Sequence, residues 1–150
     1  MANQGKILVV DDDQDMIMGL TVRLKANGFS VVAAADAPTA LTVAMKEQPD
    51  LVILDLGLPG GHGLEVLRRF RTNAKFMLIP IIILSSQPAA IIEKLSLKGG
   101  AQAFFQKPAD TRKLFAAIDR LLDGTSLPVA AGENIGDSLR SRVAGSIQDG

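Results

Sequence analysis

The chain contains no cysteine, tryptophan or tyrosine, and only one histidine among its 150 residues. The absence of cysteine excludes disulfide bonds, thiolate metal sites and thiol nucleophiles. With neither tryptophan nor tyrosine, the six phenylalanines are too few to form stacking surfaces for nucleic-acid bases. Sixteen basic and sixteen acidic side chains leave no net charge, so no overall field attracts nucleic acid or a membrane surface.

Long hydrophobic runs are also lacking. No run approaches the roughly 18 apolar residues of a membrane-spanning helix, and residues 1–5 lack the pattern of a signal peptide. We therefore expect a cytoplasmic protein that does not associate with a membrane. The hydrophobic and charged fractions, 47% and 21%, are those of an ordinary globular protein, and the length favours one domain.

Five short apolar segments, rich in β-branched or aromatic residues, alternate with segments of helical spacing. Strict alternation predicts an α/β fold in which helices cover both faces of a parallel sheet. Because each segment is continuously apolar, the strands are expected to be buried on both faces. The predicted strands are residues 6–10, 31–34, 51–54, 80–84 and 103–106.

Five helices are predicted from apolar residues that recur on one helix face. Their expected core residues are, for the first helix, Met16, Ile17, Leu20 and Leu24; for the second, Leu41, Val43 and Met45; for the third, Leu64, Leu67 and Phe70; for the fourth, Ile91, Ile92 and Leu95; and for the fifth, Leu114, Ile118, Leu121 and Leu122. Aspartates suited to N-caps precede three helices, and glycine-containing positions suited to C-caps follow three. The expected N-caps are Asp13, Asp36 and Asp110, and the expected ends are Asn27-Gly28, Gly99-Gly100 and Gly124.

The alternating pattern stops after Gly124. Residues 125–150 are rich in Gly, Ser and Ala, with a weak amphipathic stretch around Ile135, Leu139 and Val143. We expect a folded domain over residues 1–124 and a C-terminal tail or linker over residues 125–150.

Charged or hydroxyl residues stand at the ends of four predicted strands. Asp11–Asp13 follow the first strand, Asp55 the third, Ser85 the fourth and Lys107 the fifth. Ligands of open parallel sheets bind in the crevice outside the carboxyl ends of the strands. Carboxylates, a hydroxyl and an ammonium gathered there are suited to bind a divalent cation and a phosphoryl group.

Each of these residues has a candidate role. Asp11 and Asp12 are candidate ligands of Mg²⁺, which prefers carboxylate oxygens and water. Asp55 can ligate the same ion, and its carboxylate can act as a nucleophile that forms an acyl phosphate. Ser85 can hydrogen-bond a phosphoryl oxygen, and Lys107 can neutralise one.

An ordinary structural interpretation stands beside each role. Asp11–Asp13 would cap a helix and face solvent, and Asp55 would start a turn. Ser85 would bond the backbone, and Lys107 would be solvated.

The glycine-rich segment 57–63 lacks the Lys-Ser/Thr ending of a phosphate-binding loop. We interpret His62 within it as a solvated loop residue rather than a base or metal ligand. The basic residues at positions 68, 69, 71 and 75 are interpreted as a solvated helix face.

Four motifs occur in a recognisable order. They are Ile-Leu-Val-Val-Asp-Asp-Asp, Asp-Leu-Val-Ile-Leu-Asp-Leu with Leu-Pro-Gly, Ile-Ile-Ile-Leu-Ser and Gln-Lys-Pro. Together they resemble the CheY-like receiver domain of two-component response regulators, over residues 5–124. The resemblance implies a flavodoxin-like (βα)5 fold with a doubly wound five-stranded sheet of order 2-1-3-4-5.

The resemblance also implies roles for the strand-end residues. In this family a sensor histidine kinase or a phosphotransfer protein passes a phosphoryl group to an aspartate, here Asp55. The implied ligands of Mg²⁺ are Asp11, Asp12, Asp55 and the backbone carbonyl of Gly57. Three positions depart from the usual pattern of the family. The family commonly has a bulkier side chain where Gly57 stands, and other residues are usual at Gly61-His62 and Ser86. These departures bear on the kinetics of phosphorylation.

The remaining implied roles concern switching and output. Ser85 and Lys107 would contact the phosphoryl group, and Phe104 would turn inward on activation. The Lys107-Pro108 bond is implied to be cis. A downstream protein would bind the face formed by the fourth helix, fifth strand and fifth helix, or two chains would form a homodimer. We expect no enzyme activity beyond self-phosphorylation and autodephosphorylation.

Two rival functions are compatible with parts of the pattern. Asp11–Asp13 superficially fit a haloacid-dehalogenase-like phosphatase, but Asp15 stands where that pattern has Thr or Val, and the chain has no room for a cap domain. A docking module with the same fold and no phosphorylation is the other rival. A DNA-binding regulator is disfavoured because the tail is neither basic nor long enough for a helix-turn-helix domain.

Overall fold

The computed structural model describes residues 4–58, 63–87 and 89–123. Its strands are β1 (Gly5–Val10), β2 (Phe29–Ala34), β3 (Leu51–Asp55), β4 (Ile81–Ser85) and β5 (Ala103–Gln106). Its helices are α1 (Gln14–Ala26), α2 (Ala37–Glu47), α3 (Gly63–Arg71), α4 (Ala89–Lys98) and α5 (Thr111–Asp123). The strands form one parallel sheet in the order β2-β1-β3-β4-β5. Both the fold class and the strand order are confirmed.

The centre of the sheet is fully buried, as predicted. All residues of β3 and β4 are buried, and so are the last four of β1. The prediction is wrong for β2, in which four of six residues remain partly or fully exposed. Within the described parts of the chain, β2 pairs only with β1 and lies at the sheet edge, where neighbouring elements cover less of each residue.

The predicted inner faces of three helices are confirmed. They bury Leu20 and Leu24 in α1, Leu67 and Phe70 in α3, and Leu114 and Ile118 in α5. The partly buried residues packed against this core are Met16, Ile17, Leu64, Leu121 and Leu122.

For α2 the predicted face is wrong in part. The helix is buried through Ala37, Ala40 and Ala44, whereas Met45 is exposed. The positions of the large apolar residues predicted which helix face is buried. The small side chains of alanine, however, allow a helix to pack closely against the sheet. Leu41 and Val43 are partly buried at the margin of this contact.

The predicted face of α4 is also wrong in part. Ile91 is 71% exposed and Leu95 is 44% exposed. Among the α4 residues whose burial is described, the fully buried side chain is that of Ser96, whose hydroxyl donates a hydrogen bond of 2.7 Å to the carbonyl oxygen of Ile92. This internal bond satisfies the hydroxyl, so a polar residue occupies the inner face beside the partly buried Ile92 and Leu97, which pack against the core.

Arg71 corrects the prediction of a solvated basic face. Its guanidinium is partly buried and donates hydrogen bonds to the carbonyl oxygens of Phe76, Ile79 and Gly100 at 2.7–3.0 Å. It also donates to the side chain of Gln102 at 2.8 Å. The hydrogen bonds of Arg71 therefore connect the end of α3 to the loop before β4 and to the turn before β5.

The predicted helix caps are confirmed wherever the structure describes them. Asp13, Asp36 and Asp110 each accept backbone N–H groups from the first turn of the following helix. Gly28 and Gly100 have positive φ angles of 91° and 106° after α1 and α4. The backbone in this left-handed region favours glycine.

Some sequence predictions fall on parts of the chain that the structure does not describe. These are the cap at Gly124, the loop residue His62 and the tail 125–150 with its amphipathic stretch.

The Lys107-Pro108 peptide bond is cis, as the resemblance implied. None of the helices in the described ranges is long and apolar enough to span a membrane.

Candidate functional site

The carboxyl ends of β1 and β3 bring three aspartates together. The two strands are neighbours, and Val10 lies opposite Leu54, so the residues that follow them are adjacent. Carboxylate oxygens of Asp11, Asp12 and Asp55 all lie within 4.8 Å of one another. The strand-end pattern in the sequence therefore predicted a cluster that the structure contains.

The neighbouring aspartates differ in their surroundings. Asp11 is 2% exposed and Asp55 is 6% exposed, whereas Asp12 is open to solvent at the rim. Asp13 caps α1 through its side chain. The interpretation of Asp11–Asp13 as a solvent-facing cap thus applies to Asp13 alone, and the buried carboxylate of Asp11 belongs to the cluster.

Lys107 reaches into the cluster from the end of β5. Its ammonium lies 2.9 Å from Asp11 Oδ2 and 3.5 Å from Asp55 Oδ1, and its side chain is 18% exposed. The other oxygen of Asp11, Oδ1, accepts the backbone N–H of Asp13 at 2.9 Å. Both oxygens of Asp11 are therefore engaged, and the interpretation of Lys107 as a solvated residue is wrong.

The charges in the cluster alter two pKa values. Burial, and next the negative charge of Asp11, raise the pKa of Asp55 above its ordinary value, against the opposing effects of Lys107 and the backbone N–H of Gly57. Burial would lower the pKa of Lys107, but the hydrogen bond and charge of Asp11, followed by those of Asp55, raise it overall. The site holds more negative than positive charge, and an added cation would relieve this repulsion.

Ser85 lies at the end of β4, beside the strand that carries Asp55. Its predecessor Leu84 is opposite Asp55 in the sheet, and its side chain is buried. The hydroxyl oxygen accepts the backbone N–H of Gln87 at 3.1 Å, and the Ser85 carbonyl accepts the N–H of Lys107 at 2.8 Å. The backbone interpretation of Ser85 is correct, and the hydroxyl proton stays available for donation to another acceptor.

Gln87 is the residue of this site that the sequence reasoning missed. A serine hydroxyl commonly bonds the backbone two residues further on, so the spacing of Ser85 and Gln87 was the available signal. The bond fixes the hydroxyl oxygen of Ser85 relative to the end of β4.

Gly57 leaves space next to the carboxylate of Asp55. Among the described residues, a Cβ atom at Gly57 would lie within 4 Å of Asp55 Oδ2 alone, at 3.8 Å.

Phe104 is buried in β5, opposite Ile83 of β4. Phe104 is therefore part of the hydrophobic core.

The donor set fits Mg²⁺. Carboxylate oxygens are the ligands that this hard cation prefers, and it commonly takes one or two carboxylates and keeps several waters. Asp11 and Asp55 supply buried oxygens, and exposed Asp12 leaves the rim open to water. Asp11, Asp12 and Asp55 could therefore hold such an ion.

Comparisons with known proteins agree with this geometry. The family model "Response regulator receiver domain" matches residues 7–119. The alkaline phosphatase synthesis transcriptional regulatory protein PhoP of Bacillus subtilis is 30% identical over 138 residues, which cover 92% of this chain and 57% of that protein. The DNA-binding response regulator MtrA of Mycolicibacterium paratuberculosis is 36% identical over 113 residues, 75% of this chain and 49% of that protein. This chain spans about half the length of these curated relatives.

A solved structure shows the same fold. The response regulator receiver domain protein (CheY-like) of Methanospirillum hungatei superposes with a TM-score of 0.75 at 27% identity. The superposition covers 83% of this chain and 96% of that one.

Proposed function

Because the chain belongs to the response regulator receiver domain family of two-component signalling, we propose that it is a switch operated by phosphorylation of Asp55. The observation that carries this proposal is the convergence of three carboxylates and one ammonium at the carboxyl edge of the sheet. The proposed receiver spans residues 1–124, residues 125–150 form a tail or linker, and the protein works in the cytoplasm.

The reaction needs a nucleophile and a way to neutralise charge. The Asp55 carboxylate attacks the phosphorus of a phosphohistidine on a sensor kinase or phosphotransfer protein. The P–N bond breaks toward the imidazole and an acyl phosphate forms on Asp55. Lys107 lies close enough to neutralise a phosphoryl oxygen, and Ser85 has a hydroxyl proton to donate to another.

Mg²⁺ is the proposed cofactor. Its ligands would be Asp11, Asp12, Asp55 and the backbone carbonyl of Gly57. When bound, the ion neutralises charge on the phosphoryl oxygens during transfer. Asp11 and Asp12 would hold the ion beside Asp55, which would offer one carboxylate oxygen to the ion and keep the other aligned with the incoming phosphorus atom.

The new dianionic group supplies the contacts that shift the protein between two conformations. Ser85 and Lys107 move toward the phosphoryl group, and Phe104 follows Ser85 because their strands are paired. A downstream protein then binds the face formed by α4, β5 and α5. The exposed apolar side chains of Ile91 and Leu95 on α4 support this location.

Labelling with ³²P tests the proposal. The wild-type chain, incubated with Mg²⁺ and labelled acetyl phosphate or a cognate phosphorylated kinase, should become labelled. Asp55→Asn should take up no label, and EDTA should abolish labelling of the wild type. Asp119→Asn, the same change on the exposed surface of α5, should be labelled as the wild type is. Equal labelling of Asp55→Asn would overturn the proposal.

The two rival functions predict different results. A haloacid-dehalogenase-like phosphatase would turn over a generic phosphomonoester, and we expect no turnover here. A docking module that is not phosphorylated would show no response of Asp11, Asp12 or Asp55 to Mg²⁺ in NMR spectra. We expect all three residues to respond.

A further inference from the structure

The outer face of α1 carries two apolar side chains that are open to solvent. Met18 is 64% exposed and Val22 is 63% exposed. Residues four apart in a helix are neighbours on its surface, so the two side chains form one continuous apolar patch. A contiguous apolar patch, unlike a single exposed apolar residue, indicates a surface that binds another segment or protein.

Gly19 lies on the same side of α1, and the described residues give no packing reason for it. Glycine inside a helix is less favourable than alanine because it loses more conformational freedom on folding. A Cβ atom at Gly19 would have no heavy atom of the described residues within 4 Å, apart from its chain neighbours and the backbone of its own helix. The missing side chain would let the backbone of another segment approach α1 closely. Met18, Gly19 and Val22 form what we call the α1 face.

A cavity of about 210 Å³ continues this face toward α5. Gly19 lies in its wall together with Leu20 of α1 and Leu114 of α5. Arg23 joins the same two helices, because its guanidinium donates a hydrogen bond of 3.2 Å to the hydroxyl oxygen of Thr111. The α1 face therefore combines an apolar surface with a recess that can receive an apolar side chain.

The helix α5 ends at the same edge of the sheet as α1, and the tail of the chain follows it. Since α1 follows β1 and α5 follows β5 in a parallel sheet, both helices begin at the carboxyl edge and end at the amino edge. Residues 124–132 can span up to about 30 Å, whereas packed neighbouring helices lie about 8–10 Å apart. Residues 133–147 can therefore lie along α1 and run back toward the carboxyl edge, antiparallel to α1.

The tail has an apolar pattern that fits this position. Ile135, Leu139 and Val143 recur every four residues, so a helix would place them on one side. Met18 and Val22 have the same spacing on α1. Short isolated helices are marginal in water, so contact with α1 would be what stabilises a helix in the tail.

Charged residues of the tail complement those of α1 in the antiparallel orientation. Glu133 and Arg140 are seven residues apart, and the exposed residues Asp15 and Arg23 are eight apart. When Glu133 lies beside Arg23, Arg140 lies beside Asp15, and both pairs have opposite charges. In a parallel orientation both pairs would have like charges and repel each other. Complementary charges at the rim of a contact fix its direction.

We propose that residues 133–147 dock as a helix on the α1 face, antiparallel to α1. Apolar contacts between the two helices supply the affinity, and the two charge pairs set the direction. Docking within one chain is favoured by the high effective concentration of the tail. The docked tail removes the α1 face from water and from other proteins. The contact does not involve Asp55, so this inference and the proposed function can fail separately.

Paramagnetic broadening in the full chain tests the docking and its direction. The chain has no cysteine, so one introduced cysteine carries a nitroxide label at a single position. In ¹H–¹⁵N NMR spectra, a label at Ser141→Cys should broaden amides in the first half of α1, around Asp15. A label at Asn134→Cys should broaden those in the second half, around Arg23. The reverse pattern, or broadening of neither half, would overturn the proposal.

Substitutions on both segments check that this contact causes the broadening. With the label at Ser141→Cys, Met18→Ser should lower the ratio of docked to undocked chains about tenfold, because it removes a buried apolar contact. Met45→Ser, the same change at an exposed position of α2, should leave the ratio unchanged. Leu139→Ser should act like Met18→Ser, and Leu127→Ser, outside the docking segment, should have no effect. Equal effects within either pair would contradict the contact.

A charge swap tests the direction independently. Asp15→Arg places two positive charges side by side and should lower the ratio of docked to undocked chains about two- to fivefold. Combining it with Arg140→Asp restores a pair of opposite charges and should restore the broadening of the first half of α1. A double variant that does not recover would contradict the antiparallel pairing.

A mixed sample separates the tail of the same chain from the tail of a second copy. Spin-labelled chain without ¹⁵N is mixed with ¹⁵N-labelled chain that carries no spin label. We expect no broadening of α1 in the ¹⁵N-labelled chain. Broadening there would show that a second copy occupies the α1 face and would overturn docking within one chain.

Discussion

Asp55 is an acid whose surroundings oppose its own ionisation. Burial and the nearby carboxylate of Asp11 raise its pKa above the ordinary value of 3.8, and Lys107 compensates only in part. A buried carboxylate beside another carboxylate is costly for a folded protein. The proposed function explains its presence here, because the same arrangement would attract a cation and leave the charge of the proposed nucleophile only partly compensated.

This arrangement predicts a pH-dependent stability difference for Asp55→Asn without added Mg²⁺. Because the pKa is raised in the folded state, the contribution of Asp55 to stability is present below pH 3.8 and is lost as pH rises through the folded pKa. Asparagine does not ionise, so the variant should be more stable than the wild type at neutral pH. The difference should vanish as pH falls toward 3.8.

Urea unfolding followed by circular dichroism measures this difference at several pH values. Asp119→Asn, on the exposed surface of α5, is the matched control and should show no comparable pH-dependent gain. A wild type that is the more stable protein at neutral pH would contradict the explanation.

At the scale of elements, α4 and α5 show why periodicity predicts one helix face well and another poorly. In α5 the recurring apolar residues Leu114 and Ile118 are buried. In α4 the pattern is equally apolar, but Ile91 and Leu95 face outward and Ser96 faces the core. A sequence records which residues are apolar, whereas the face that is covered depends on the neighbouring elements.

Two isoleucine-to-alanine substitutions, one in α5 and one in α4, check which helix faces are buried. Ile118→Ala should lower the free energy of unfolding by about 2–5 kcal/mol because it opens a cavity in the core. Ile91→Ala should change it by no more than about 0.5 kcal/mol because the side chain is mostly exposed. Chemical denaturation gives both values, and similar losses at the two positions would show that α4 is placed wrongly.

Arg71 joins the end of α3 to the segment before β4 and to the turn before β5, which lies 29 residues away in sequence. Replacing it with methionine leaves partly buried carbonyl oxygens of Phe76, Ile79 and Gly100 without this donor. We expect Arg71→Met to lower the free energy of unfolding by about 2–4 kcal/mol. Urea titration measures the loss. Arg68→Met removes an exposed arginine from the same helix and should have little effect, so equal effects would contradict the structural role of Arg71.

At the scale of the whole molecule, the order of elements predicted most of the fold. Alternating strands and helices require a parallel sheet, and parallel strands place all their carboxyl ends at one edge. For that reason Asp11, Asp55, Ser85 and Lys107 could be predicted to converge from their strand-end positions alone.

The individual contacts could not be predicted in this way. The ion pair between Asp11 and Lys107 joins residues 96 positions apart, and no local pattern specifies its partner atoms. The exposure of β2 and the hydrogen bonds of Arg71 likewise depend on the assembled neighbours. Local rules did predict the caps at Asp36 and Asp110, because a cap needs only the next few residues.

Locating the phosphoryl group by mass spectrometry tests the central claim most directly. After reaction with acetyl phosphate and Mg²⁺, borohydride reduces an aspartyl phosphate to homoserine, which marks the acceptor permanently. The tryptic peptide of residues 47–68 contains only two aspartates, Asp50 and Asp55, together with His62. We predict homoserine at position 55 and at no other aspartate. Homoserine at Asp11 or Asp12, or a phosphoryl group that reduction does not remove, would contradict the account.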